Sequence, residues 1–179
     1  MISQFILALM INQTSNLLGV VAFEVSNRIE ASAREIMKRA GETAAALVVI
    51  GYDLGPTNDQ LRRVLGLTHS GTVRLIDRLV DDGLVIRKEG EDKREIALYA
   101  TKRGKALREQ IMKERLAAIR PLLNTLTRAE QENLYSLLHK ILASMETTDM
   151  ERRTLCRLCD DRVCTNCPIP ADFREDKDL

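Results

Sequence analysis

Apolar residues recur at helical spacing over most of the chain, and only one short stretch switches to alternation. From Ser15 to Arg39, Leu18, Val21, Val25, Ile29 and Ile36 stand three, four or seven residues apart, the signature of one long helix. Ahead of it, Phe5, Ile6, Leu9 and Met10 in residues 1–12 share helical spacing. They are expected to pack on a dimer partner, unless they lie upstream of the true start. Ala44–Asp53 is apolar almost throughout and reads as a buried helix, closed by Gly55-Pro56. Thr57 with Gln60 forms a capping box, so a helix starts near Asn58, turns Leu61, Val64 and Leu65 inward and ends at Gly66. Thr68 caps a second helix whose inner side carries Thr72, Leu75, Ile76, Leu79 and Val80, with Val73 at the margin. Its outer side carries Ser70, Arg74, Asp77, Arg78 and Asp81, and Gly83 stops it.

Alternation then replaces the helical period. Leu84–Arg87 and Glu95–Ala100 read as strands, with Ile96, Leu98 and Ala100 pointing inward. The charged loop from Lys88 to Arg94 joins them. Thr101 caps a helix running to about Leu123, kinked or interrupted near Pro121, with a stripe of Ala106, Leu107, Ile111 and Leu116. A second capping box, Thr127 with Glu130, opens a helix bearing Leu134, Leu137, Leu138, Ile141, Leu142 and Met145 at heptad-like intervals. These stripes predict a dimer interface with the first long helix. The fold class is mainly α: a winged helix-turn-helix with long N- and C-terminal dimerisation helices and a two-stranded wing. Residues 1–40 form the N-terminal dimerisation helix, 41–104 the winged module, 105–146 the C-terminal dimerisation helices and 147–179 a tail.

Short capped helix, tight turn, second helix and hairpin, in that order, make a module for reading duplex DNA. The expected contacts are Thr68, His69, Ser70, Arg74 and Arg78 from the second helix, and Arg87, Lys88, Asp92, Lys93 and Arg94 from the hairpin. The helix would supply major-groove contacts and the loop cations would reach the backbone or minor groove. With 27 Lys and Arg against 26 Asp and Glu, the net charge is only +1. Affinity for DNA must therefore come from local placement of charge, doubled in a dimer.

The stretch Thr72–Val85, the triplet Asp92-Lys93-Arg94 and the following Ala100-Thr101-Lys102-Arg103-Gly104 resemble the multiple-antibiotic-resistance regulator (MarR) family of bacterial transcription factors. The resemblance implies that Arg94 enters or flanks the minor groove while Asp92 steadies the loop. It also implies a base or phosphate contact for Arg74 and a backbone contact for Arg78. It further implies a homodimeric repressor on a pseudo-palindromic operator, modulated by a small molecule between the dimerisation helices and the winged module, or through the tail. Gly71 stands where the family usually has Ser or Thr, and Val73 where a polar contact is common. The rival reading is a metal-stabilised protein-interaction adaptor that keeps the winged helix without reading DNA.

Past Met145 no amphipathic period is evident, yet the tail holds all four cysteines of the protein: Cys156, Cys159, Cys164 and Cys167, as C-x2-C-x4-C-x2-C. Four thiolates satisfy tetrahedral zinc, with Arg153, Arg157 and Arg162 near enough in sequence to offset the charge. Structural zinc is the favoured cofactor. The alternatives are an iron–sulfur cluster, since Cys167-Pro168 resembles the ending of bacterial ferredoxin runs although the x4 spacing does not match theirs, and a thiol–disulfide switch whose thiols are acidified by nearby Arg. A disordered tail with unused cysteines is the plainest reading. No apolar run approaches the roughly eighteen residues of a membrane span, and no signal peptide is evident, so a cytoplasmic location with reduced thiols is expected. His69 and His139 have no partners in sequence that would make a catalytic set, and an enzyme is not expected.

Overall fold

Capping chemistry sets most of the element boundaries in the computed structural model. It describes residues 2–38, 41–52, 54–90, 95–160, 162–164 and 166–169, with the side chains of 2–8 and 41 not described. Helix α1 (Ile2–Met37) is one rod of 36 residues, about 54 Å long at the α-helical rise. It absorbs the expected separate N-terminal turns. Lys38, with a left-handed φ of 52°, ends it.

Helix α2 (Gly41–Ile50) buries Ala44 to Val48 and Ile50. It stops three residues short of the expected Asp53, itself outside the described residues, because Gly51 and Tyr52 turn away under the side chain of Arg108. Helices α3 (Asn58–Leu65) and α4 (His69–Asp81) start on Thr57 and Thr68, whose hydroxyls accept from the amides of Gln60 and Gly71. Both end in Schellman motifs around left-handed glycines, Gly66 and Gly83. The fully buried Leu61, Ile76 and Leu79 lock the pair onto Leu47 and Ile50 of α2.

Strands β1 (Val85–Glu89) and β2 (Ile96–Ala100) pair antiparallel from Val85 with Ala100 to Glu89 with Ile96. Two expectations fail here. β1 begins one residue later and runs two further than expected, and Ile96 points outward, 54% exposed, while Ala97 is buried. The chain at 56–57 runs along β2: Leu98 donates its N–H to the Pro56 carbonyl at 3.1 Å and Thr57 bridges Ala97. This third partial strand covers Ala97, whereas Ile96 sits beyond it at the wing end.

Helix α5 (Lys102–Leu123) continues through Pro121, near its C-terminal end. Its buried side is Gly104, Arg108, Ile111 and Met112. Ala106, expected inside, is exposed on an open cleft facing Met37 and Leu84. Helix α6 (Arg128–Ala143) opens on the expected Thr127 and Glu130 box and buries none of its residues.

The tail contradicts its reading as patternless. Helix α7 (Asp149–Cys156) opens on a third capping box, Thr148 with Glu151, and packs against α3. Among the described residues the architecture is thus seven helices and one two-stranded sheet, and no helix is long and apolar enough to cross a membrane.

Candidate nucleic-acid interface

Helix α4 owes its outward side to the burial of the other. Thr72, Leu75, Ile76 and Leu79 face the core, and Thr68, His69, Ser70, Arg74 and Arg78 are exposed. The N-terminal end of α4 is therefore open, and only the capping hydroxyl of Thr68 meets its amides among the described contacts. Such an end, with partial positive charge, suits phosphate. Arg78 Nε donates to the Arg74 carbonyl at 3.1 Å, which lays its side chain along the helix surface beside Arg74.

The wing is tied to this helix by a pair that sequence order does not suggest. Arg87 of β1 meets Asp77 of α4 at 2.5 Å, so one expected contact residue also braces the wing. Lys88 lies 5.2 Å from the centre of the Tyr99 ring, a cation–π arrangement that orients its ammonium. Asp92, Lys93 and Arg94 lie outside the described residues.

Two supports of α4 went unread in the sequence. Arg103 donates to the Asp82 carbonyl at 3.0 Å, satisfying the C-terminal end of α4. Thr101 Oγ1 donates to the Gly83 carbonyl at 2.8 Å while capping α5 through the amide of Gly104. The first turn of α5 is in this way fastened to the turn between α4 and the wing.

Residues 37–95 match the family model described as MarR family. That match covers the winged-helix module. Solved structures agree in fold. MepR, a transcription regulator of the Staphylococcus aureus multidrug efflux pump MepA, is similar with a TM-score of 0.64 at 19% identity, over 74% of this chain and 98% of that one. A MepR mutant bound to an oligodeoxyribonucleotide gives 0.56 at 20% identity, over 74% and 98%. Wild-type MarR from E. coli in its apo form gives 0.62 at 25% identity, over 72% and 95%. No curated protein sequence matches the chain.

The matched MarR residues exclude all four cysteines. The tail nevertheless packs on the winged-helix module, α7 against α3. Tyr52 Oη donates to the Cys159 carbonyl at 2.6 Å. Arg162 bonds both carboxylate oxygens of Asp160, at 2.9 and 3.1 Å, and reaches Glu109 of α5 at 2.5 Å. The Arg162 guanidinium holds the Asp160 carboxyl below the usual carboxylate range. Arg108, buried in α5, lies 4.7 Å from the Tyr52 ring centre and donates to the Val48 carbonyl at 3.4 Å.

The cysteines themselves are unpaired: Cys156 buried, Cys159 and Cys167 half-buried, Cys164 exposed. Among the described residues no three His, Cys, Asp or Glu side chains stand close enough to hold a metal ion as placed. The expected acidification by arginine is reversed at the first pair. Burial, with the neighbouring thiols, raises Cys156 and pushes Cys159 up to about 11. Two of the three arginines expected to offset thiolate charge are engaged elsewhere, Arg162 as above and Arg157 on the Thr154 carbonyl. Arg152 acts to lower Cys156 and Arg115 to lower Cys159, but burial outweighs both.

Proposed function

We propose that the protein is a homodimeric, sequence-specific DNA-binding transcription regulator, acting as a repressor whose hold on its operator is weakened by a small ligand. The observation that carries this reading is the outward side of α4: Thr68, His69, Ser70, Arg74 and Arg78 project clear of the protein's own body on a MarR-family module. Arg74 and Ser70 would meet base edges, Arg78 and the open helix end phosphates, and Arg87, Lys88, Lys93 and Arg94 the flanking backbone or minor groove. Asp92 would steady the wing.

Dimerisation is supported by apolar surface that one chain leaves uncovered. Leu17, Leu18, Val21 and Phe23 of α1 are exposed, Phe23 by 71%, as are Leu137, Leu138, Ile141 and Leu142 of α6. Patches of this kind mark association surfaces in soluble proteins. A two-fold dimer presents two α4 helices to one duplex.

Ligand control has a place to act. An open cleft of about 530 Å3 lies between the end of α1, the turn after α4 and α5, lined by Met37, Leu84, Arg103 and Leu107. A ligand there would touch Arg103, which holds the end of α4, and need only prefer dimers whose recognition helices are misplaced.

Hydroxyl-radical footprinting of selected duplexes tests the proposal. Two protected patches about one helical turn apart, roughly 34 Å, are expected. A single patch, or protection at every sequence alike, would overturn the dimeric sequence-reading scheme.

A further inference from the structure

The tail poses a problem of what holds it. From Arg157 to Ile169 the described residues form no regular element, make no disulfide and bury only Asp160 and Ile169. Leu158 packs half-buried against the core, and the other described ties to the body are polar: Tyr52 to the Cys159 carbonyl, and Arg162 between Asp160 and Glu109. So little apolar burial does not offset the entropy of ordering a dozen residues.

The thiols are arranged as two turn-borne pairs. Cys156 is the last residue of α7, and the Cys159 N–H donates to its carbonyl at 2.8 Å, closing a turn that keeps both sulfurs on the protein side. Asp160 then folds the chain back, its carbonyl accepting from the amides of Val163 at 3.1 Å and Cys164 at 3.3 Å. Cys164 and Cys167 lie near enough to both Cys156 and Cys159 to raise their thiols. Beside them, Arg115 Nε is buried and has no hydrogen-bond partner among the described residues. A buried N–H without an acceptor asks for an anionic one, and a metal-bound thiolate is such an acceptor.

We propose that Cys156, Cys159, Cys164 and Cys167 bind one thiophilic divalent cation of the zinc class as a tetrathiolate, with Arg115 as its outer partner, and that this ion fixes the tail to α3 and α5. Closing the site turns Cys164 and Cys167 inward about their Cα–Cβ bonds, to sulfur–metal distances of about 2.3 Å. Cys167 gives up its thiol hydrogen bond to the Ile169 carbonyl, 3.1 Å in this geometry. Each ligating thiol releases its proton to solvent and no electron moves, so affinity rises with pH. Four thiolates leave the ion with net negative charge, which the Arg115 guanidinium offsets in part. The inference does not depend on DNA reading.

The test uses the full-length protein, stripped of metal under reducing conditions and reloaded with Zn2+ or Co2+. One ion per chain by mass spectrometry is expected. The cobalt form should show the visible bands and sulfur charge-transfer of tetrahedral thiolate, and all four thiols should resist alkylation until chelator is added. The Cys164→Ser/Cys167→Ser double variant should lose the ion while its far-UV circular dichroism keeps the helical signal. Arg115→Leu should retain one ion with affinity at least about tenfold weaker, and an unchanged affinity would remove Arg115 from the site. Thiols that alkylate equally fast with and without Zn2+ would overturn the proposal. So would an intact mass showing disulfides in freshly reduced and purified protein, or a brown protein containing iron and sulfide.

Discussion

At Gly104 one hydrogen in place of a methyl group lets α5 meet the wing. A Cβ there would lie 2.0 Å from the Leu84 carbonyl oxygen, which also accepts the Thr101 N–H. Backbone on both sides leaves nothing flexible to yield, so Gly104→Ala is expected to destabilise the fold by about 1–3 kcal/mol, the usual range for overpacking, or more. Gly66 makes the useful contrast. A methyl there meets nothing within 4 Å, and Gly66→Ala should cost only the roughly 1–2 kcal/mol of a left-handed alanine. Urea unfolding of the two variants checks the order, and equal losses would contradict the close approach. Gly104 was legible in the sequence only as part of the Thr101–Gly104 resemblance, because its reason is a contact across twenty residues. Arg108 was not legible at all. It occupies a core position of α5 with its stem against Gly51 and its guanidinium over Tyr52, and a pattern of apolar residues has no way to place an arginine inside.

At the scale of elements, capping was the most readable signal. Thr57 with Gln60 and Thr127 with Glu130 fixed helix starts to the residue. Thr57→Ala should cost about 1 kcal/mol, by loss of the hydroxyl that serves the Gln60 amide; thermal unfolding reads it directly. The same signal stood at Thr148 and Glu151 and passed unread, since α7 is short and its neighbours are polar. What places α7 is its partner α3, not its own period. The inward sense of β2 was half readable for a similar reason: Leu98 and Ala100 obey the alternation, and Ala97 is covered by chain that arrives from Pro56 and Thr57. The docking of the tail carries a pH signature. The Asp160 carboxyl is held low by Arg162, so its contribution is complete above the ordinary carboxylate value of about 3.9. It is lost as pH falls through the lower folded value. In the metal-free protein, protection of the Val163 and Cys164 amides relative to their intrinsic exchange rates should hold from neutral pH down to about 4 and fall below it. Asp160→Asn should abolish that step, and a step that survives in this variant would assign it to another group.

For the whole molecule, association and DNA reading stand together. α6 buries none of its residues and leaves Leu137, Leu138, Ile141 and Leu142 exposed, so Leu138→Glu with Ile141→Glu should yield a monomer in sedimentation and leave the winged module folded. A dimer unchanged by both charges would move the interface elsewhere. The stripes that announced this surface were plain in the sequence. Periodicity names a face and not its partner, so α1 as the helix opposite it belongs to the proposed dimer. The central claim is that the outward side of α4 and the wing engage one duplex. Its most direct measurement is the salt dependence of duplex binding by fluorescence anisotropy, for the native protein and for Arg78→Ala. The account predicts a linear fall of log affinity with log salt, steepening by about 0.9 for every phosphate engaged, and a slope smaller by about one in the variant. Affinity that is negligible at low salt, or a slope that the loss of Arg78 leaves untouched, would contradict it.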